Sequence, residues 1–329
     1  MKKIFYLYKS GTLHRRDSSL VLVEKNGNVI YLPVEQVDMI ICFNEISLNK
    51  RMLALLNRED VCILFYNYYG EMIGRFSPRY HNDGRLILKQ VETYQNPVRR
   101  LFIAKCIQKH ALKNMISLLK YYMKKGVDLS ESIIKMEKTL HDLEVTTDIE
   151  KVLILEAKAH QIYFSCFDKI IRNPDFMFIR RSKNPPENPL NAMLSYGYAV
   201  LYGLILGVLD RSRLLPQISF IHSLSKSTDS LKYDLADILK PVLIDRLVIR
   251  MIRRKQMRIT YFEYSDNRCY MTKQGCAIFV KEIDLLLKST VKDGKKSYSY
   301  KSIISREVHK LSNYIQDESN GYNPYVMKW

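Results

Sequence analysis

The chain has 329 residues, with 52 Lys and Arg against 34 Asp and Glu, a formal net charge of +18 and a pI near 9.5. Its 47% hydrophobic and 26% charged residues, with only 12 Gly and 10 Pro, exclude intrinsic disorder and collagen-like or low-complexity chains, and the length suits two domains. The charge favours a polyanionic partner, nucleic acid or an anionic membrane surface, over a neutral metabolite.

In chain order, residues 1–84 read as strands: IFYLY (4–8), LVLVE (20–24), NVIYL (28–32), MIICF (39–43) and CILFY (62–66) are short and rich in β-branched and aromatic residues. Asn26-Gly27 joins the second and third runs with a strong hairpin signal. The amphipathic stretch 48–60 reads as a helix, and Tyr-Gly at 69–70 and Asn-Asp-Gly at 82–84 supply turn chemistry. After residue 84 the period becomes helical, with helices expected over 98–125, 130–143, 147–172 (a capping box, Thr147 and Glu150), 189–209 and 228–258. The expected fold is therefore α+β: a small N-terminal β-sandwich-like domain, 1–84, followed by a larger all-α domain, 85–329. Residues 1–84 hold 11 basic and 9 acidic residues, so +16 of the +18 belongs to the helical part.

The apolar run 190–209 is about as long as a bilayer-spanning helix, but it carries Asn191, Ser195 and three Tyr, so a buried core helix is expected and no membrane partner. The apolar stretch at the N-terminus is too short for a signal peptide. The six cysteines are scattered with no CxxC pair, which gives no support to a zinc ribbon and fits a reducing, cytoplasmic location.

Four passages in the helical part could carry chemistry. Glu156 falls among Val152, Leu153, Leu155 and Ala159; it is either an edge position pairing with Lys151 or Lys158, or a buried metal-binding carboxylate. His160, one turn on, could share that metal or be a surface histidine. The stretch Arg180 to Asn191, with Arg181, Lys183 and three prolines, is either a phosphate-contacting loop before a helix N-terminus or an ordinary connection. His222 closes an apolar stretch, as a core histidine or a ligand. Asp234 and Asp237 share a helix face that needs a cation, either a metal or Lys240. Taken together, carboxylates and imidazole from three elements suit Mg²⁺ or Mn²⁺ bound to phosphate oxygens. Arg250, Arg253, Arg254, Lys255 and Arg258, five cations in nine residues, are either a backbone-binding ridge or a solvated face, and the stretch from Lys288 to Lys310 is a second basic segment, expected at the surface.

Several of these passages resemble one family. ISLNKRMLALLNREDVCILFYNYYGEMIGRFSP (46–78), LEAKAHQIYF (155–164), NPPENPLNAMLSYGYAVLY (184–202), LLPQISFIH (214–222) and YDLADILKPVLIDRLV (233–248) are similar, in order, to blocks of the CRISPR-associated integrase-endonuclease of spacer acquisition; YNPYVMKW (322–329) resembles the tail of its subtype I-B branch. The resemblance implies that Glu156, His222 and Asp237 are the catalytic metal ligands. Asp234 would lie beside them, with Tyr163, Asn191 and Lys240 lining the site, and His160 matches no family ligand. It implies metal-dependent insertion of a prespacer duplex into a CRISPR repeat, attack being by a prespacer 3′-hydroxyl, and nuclease action when water attacks instead. A homodimer built by the β domain and a small companion CRISPR-associated protein are the implied protein partners. Ala157, Ser219, Lys240 and the Arg213-Leu214-Leu215-Pro216 turn depart from the family pattern without removing a ligand. Two other readings stand beside it: a non-catalytic DNA-binding scaffold, and a helical di-metal carboxylate enzyme using Glu156 and His160, for which no second Glu-containing helix with matching His spacing is found.

Overall fold

The structure, a computed structural model, describes residues 2–78, 83–222, 224, 229–294 and 296–328. The chain divides into two units, Met1–His81 and Asn82–Trp329.

The first unit holds two four-stranded sheets around one core. β1 (Lys3–Leu7) runs parallel to β5 (Val37–Cys42), which runs parallel to β7 (Cys62–Tyr66); β8 (Met72–Phe76) closes that sheet antiparallel. The second sheet is ordered β4 (Val29–Leu32), β3 (Ser19–Glu24), β2 (Gly11–Arg16), β6 (Ile46–Leu48). β5 is buried along almost its whole length, as a central parallel strand must be. β3, by contrast, directs Leu20 and Leu22 into the core with Leu13 of β2, Ile40 of β5 and Ile63 of β7. α1 (Lys50–Arg58), capped by the Asn49 side chain on the Met52 amide, adds Met52, Leu55 and Leu56 to the same core. The expected hairpin is present: β3 and β4 pair Leu20 with Leu32, and Gly27 turns the chain at φ +87°. β2, β6 and β8 carry weaker strand patterns and were not expected from the sequence.

The second unit is helical and adds two short hairpins to the expected helices. α2 (Gly84–Gln95) and α3 (Pro97–Met123) are separated by Asn96, whose side chain accepts from the amides of Val98 and Arg99. The Asn-Asp-Gly turn begins at Asn82, outside the described residues; Asp83 caps α2. α4 (Ser130–Val145) and α5 (Ile149–Ser165) follow, and α5 is capped by Asp148, not by the Thr147–Glu150 box. The expected 147–172 helix is interrupted at Cys166, after which the short α6 (Phe167–Ile171) follows. α7 (Pro189–Ser212) is the apolar run; it is long and apolar enough to cross a membrane, and 83% of its most apolar 18-residue stretch is buried. The expected 228–258 helix is three pieces: α8 (Leu231–Leu239), a π-helical turn (Lys240–Asp245) and α9 (Arg246–Arg253). Pro241 explains the wide turn, because proline has no amide to donate and its ring clashes with the preceding turn. Gly197 lets α7 approach this turn; a Cβ there would come within 2.6 Å of Ile244 Cγ2. β9 (Phe262–Ser265) pairs with β10 (Arg268–Met271), α10 (Lys273–Lys288) follows, and β11 (Thr290–Asp293) pairs with β12 (Lys296–Ser299) before α11 (Tyr300–Gln316). The second basic segment is thus a hairpin and half of α11, with Ile303, Ile304 and Val308 buried.

Candidate metal centre

Three elements bring the carboxylates and imidazole together. α5 supplies Glu156, α8 supplies Asp234 and Asp237, and the segment before residue 223 supplies His222. One ligand atom from each of Glu156, His222 and Asp237 lies within 4.8 Å of the others. Glu156 turns to this cluster and away from Lys151 and Lys158, which are both exposed.

Asp234 has a different task. It is fully buried, and its Oδ2 accepts from the amides of Phe220 (2.6 Å) and Ile221 (3.2 Å). Its Oδ1 lies 2.6 Å from His222 Nδ1. A carboxylate only accepts, so Nδ1 carries a proton, and Nε2 is the nitrogen a cation would take in exchange for the ring's second proton. The negative charge of Asp234 is thus met by amides and imidazole, not by a shared cation as the sequence suggested. The segment itself is pinned by residues that the sequence reading missed: Gln90 on α2 donates to the carbonyls of Leu215 and Ile218 and accepts from the Leu215 amide, and Arg100 donates to the Phe220 carbonyl.

Asp237 is also buried. Lys240 Nζ donates to its Oδ1 at 2.6 Å and Gln108 Nε2 to its Oδ2 at 3.0 Å. Burial opposes ionisation, yet Lys240 and the two histidines hold the Asp237 carboxyl below its usual range. At Glu156 the balance is reversed: burial, then the Asp237 charge, outweigh His222 and Lys240 and push it up to about 7. Burial would lower His222, but Asp234 outweighs it and raises the ring to about 9. Two carboxylates and one imidazole nitrogen, which must give up a proton on binding, fit a divalent cation such as Mg²⁺ or Mn²⁺. His160 lies 3.9 Å from Glu156, beyond hydrogen-bond length, and burial holds its ring down to about 4.

The other expected site residues are placed unevenly. Asn191 is buried at the start of α7; its Oδ1 accepts from Arg181 and the Ser182 amide, and its Nδ2 donates to the Arg180 carbonyl. Arg181 also donates to Ser195 Oγ and lies over the Tyr198 ring, so its guanidinium serves the fold. Lys183 is exposed as a residue, while partial desolvation of its ammonium, then repulsion from Lys240, lowers its pKa. Tyr163 donates to Asp245 Oδ2 at 2.9 Å, and Tyr198 donates to the other oxygen. Asp245, in the π-helical turn, was missed: burial raises it to about 6, and only its place as a lone acid in the apolar run VLIDRLV hinted at it. Arg250, Arg253 and Arg254 line a cleft of about 390 Å³ with Arg246, Lys125, Tyr121 and Tyr122. Lys255 and Arg258 lie past the end of α9, exposed and outside that lining.

The sequence profile of the CRISPR associated protein Cas1 family matches residues 5–284. The chain belongs to the Cas1 family. It is 32% identical over 332 residues to CRISPR-associated endonuclease Cas1 2 of Thermodesulfovibrio yellowstonii, covering all of both chains. The solved structure of a Cas1 protein from Thermotoga maritima superposes with TM-score 0.86 at 30% identity, over 99% of this chain and 100% of that one. A casposase bound to integration product superposes with TM-score 0.87 at 19% identity, over 98% and 92%, a likeness of fold. The expected α+β architecture, strands first and helices after, is the one this Cas1 chain has.

Proposed function

We propose that the protein is a metal-dependent DNA endonuclease and strand-transfer integrase that inserts spacer DNA into a CRISPR array. The observation that carries this reading is the meeting of Glu156, His222 and Asp237 within 4.8 Å inside the basic unit. Membership of the Cas1 family and the casposase fold support it. A bound divalent cation would polarise the scissile phosphate and stabilise charge on the attacking and leaving oxygens. Glu156, His222 and Asp237 would hold it, while Asp234 keeps Nδ1 of His222 protonated and Nε2 available. Lys183, exposed and electrostatically coupled to Glu156 and Asp237, is placed for a phosphate of the substrate. In strand transfer the 3′-oxygen of the incoming DNA forms a bond to phosphorus, the bond to the repeat's own 3′-oxygen breaks, and the proton passes from the attacking to the leaving oxygen through solvent. With water as nucleophile the same exchange is hydrolysis.

Arg250, Arg253 and Arg254 are read as contacts to duplex backbone, with Lys255 and Arg258 at the margin. β4 is an edge strand that exposes Val29, Ile30 and Tyr31, which supports pairing of the β unit with a second copy. A small companion CRISPR-associated protein is the further partner, and six free cysteines suit the cytoplasm.

The deciding experiment compares wild type with Glu156→Ala, His222→Ala and Asp237→Ala on branched and supercoiled repeat DNA, with Mn²⁺ and with EDTA. Each variant is expected to lose at least 100-fold in cleavage and strand transfer while duplex binding persists. Full activity of His222→Ala in Mn²⁺ would remove the site assignment; DNA binding without cleavage in any metal would leave a scaffold.

A further inference from the structure

We infer that Gln108 is a positioning residue for the cation site, holding Asp237 through its second carboxylate oxygen. The inference rests on the reading that Glu156, His222 and Asp237 bind a divalent cation. Gln108 lies on α3, fully buried, 129 residues from its partner in sequence, and its Nε2 donates to Asp237 Oδ2 at 3.0 Å. The other partner of Asp237 is Lys240, on Oδ1. An ammonium in contact with that oxygen competes with any cation for the same charge, so a cation bound at Oδ1 displaces Lys240. Nζ already lies 5.2 and 5.5 Å from the ring centroids of Tyr198 and Tyr202, contacts that can hold the ammonium nearby once it leaves Oδ1. Gln108 is neutral and reaches the opposite oxygen, so it has nothing to yield. It remains the group that fixes the carboxylate's rotation when Lys240 moves.

The other half of the amide strengthens the argument. Gln108 Oε1 is buried and has no hydrogen-bond partner among the described residues. An unmade buried acceptor is a net cost, and an apolar side chain of similar size would avoid it. A residue present only to fill α3's buried face has no reason to be an amide. One good bond to a ligand oxygen, beside one orphaned atom, is what a positioning role leaves behind.

The test separates position from packing. Gln108→Met keeps the volume, removes the orphaned acceptor and removes the donor. Mn²⁺ affinity, read by calorimetry and by the EPR signal of free Mn²⁺, is expected to fall 10- to 100-fold, as loss of an outer partner does elsewhere. The melting temperature in EDTA is expected to change little, because losing the orphaned acceptor offsets the donor lost at Asp237 Oδ2. Gln108→Asn, whose shorter amide withdraws from Asp237, should show the same loss of affinity. Unchanged Mn²⁺ affinity in either folded variant overturns the inference, and so does a lowered melting temperature with unchanged affinity. Failure of the underlying reading looks different: wild type and His222→Ala would then bind Mn²⁺ equally.

Discussion

Glu156 is the residue at which function and stability pull apart. A carboxyl that ionises near 7 instead of its ordinary 4.5 has been moved by burial and by Asp237, and both effects act against the charged form. Between those two values the native state keeps a proton that the unfolded chain has released, so stability falls as pH rises through the window. Above pH 7 the penalty is complete, about 3 kcal/mol at most. Glu156→Gln removes it. In EDTA the variant should therefore be more stable than wild type at pH 8.5, by about 1–3 kcal/mol in urea unfolding, with a smaller gain at pH 5.5. Mn²⁺ should reverse the order by stabilising wild type alone. A variant that is less stable at both pH values in EDTA would show that the carboxylate is satisfied by the fold and not strained by the site.

At the scale of elements, α8 carries Asp234 and Asp237, and α3 and the C-terminal segment decide where α8 sits. Asn114 of α3 is the joint: its Nδ2 donates to the carbonyls of Ile238 (2.8 Å) and Tyr325 (3.0 Å), and its Oδ1 accepts from the Met327 amide (2.7 Å). Tyr325 is tied again through its amide to buried Glu307 on α11. Asn114→Leu strands two carbonyls and an amide in a dry environment, so a loss of about 2–5 kcal/mol is expected in urea unfolding. Earlier proteolytic release of the last residues should accompany it; loss below 1 kcal/mol would mean that the tail is merely laid on the helix. This joint also shows what a sequence can tell. Asn26-Gly27 and the runs around it are local, and the β3–β4 hairpin was read from them. Ser265-Asp266-Asn267-Arg268 carries an equally local signal, two residues able to take positive φ, at 48° and 61°, but the strands it joins are too short to draw attention. Gln90, Gln108 and Asn114 were invisible because a helical period assigns polar residues to the outer face, and their partners lie more than 100 residues away. Glu156, His222 and Asp237 were among the candidates read from their apolar surroundings, but each had an ordinary alternative, and the family resemblance separated this set from Asp234 and His160.

For the whole molecule the question is what a surplus of +18 does when +16 of it lies beyond residue 84. Not every cation in the helical unit is available to a polyanion. Arg181 is engaged by Asn191, Ser195 and the Tyr198 ring, and Lys240 by Asp237. The cleft between α3 and α9 gathers Arg250, Arg253 and Arg254 with Arg246 and Lys125; Arg250 pairs with Glu282 and Arg253 donates to the Ile170 carbonyl, yet each still lines the open wall. Arginines gathered in a concave wall match the spacing of successive phosphates better than a solvated face does. Each phosphate neutralised releases condensed counterions and contributes about 0.9 to the slope of log affinity against log salt on duplex DNA. In a His222→Ala background, expected to lack cleavage, replacing Arg250, Arg253 and Arg254 together by Gln should lower that slope by about 2–3. The weakening should be similar on unrelated duplex sequences, because phosphates carry no sequence information. Arg181→Gln, by contrast, should reduce stability and leave the slope within experimental error. An unchanged slope in the triple variant would place the duplex on another face of the helical unit and leave the cleft's charge to be explained by a different anion.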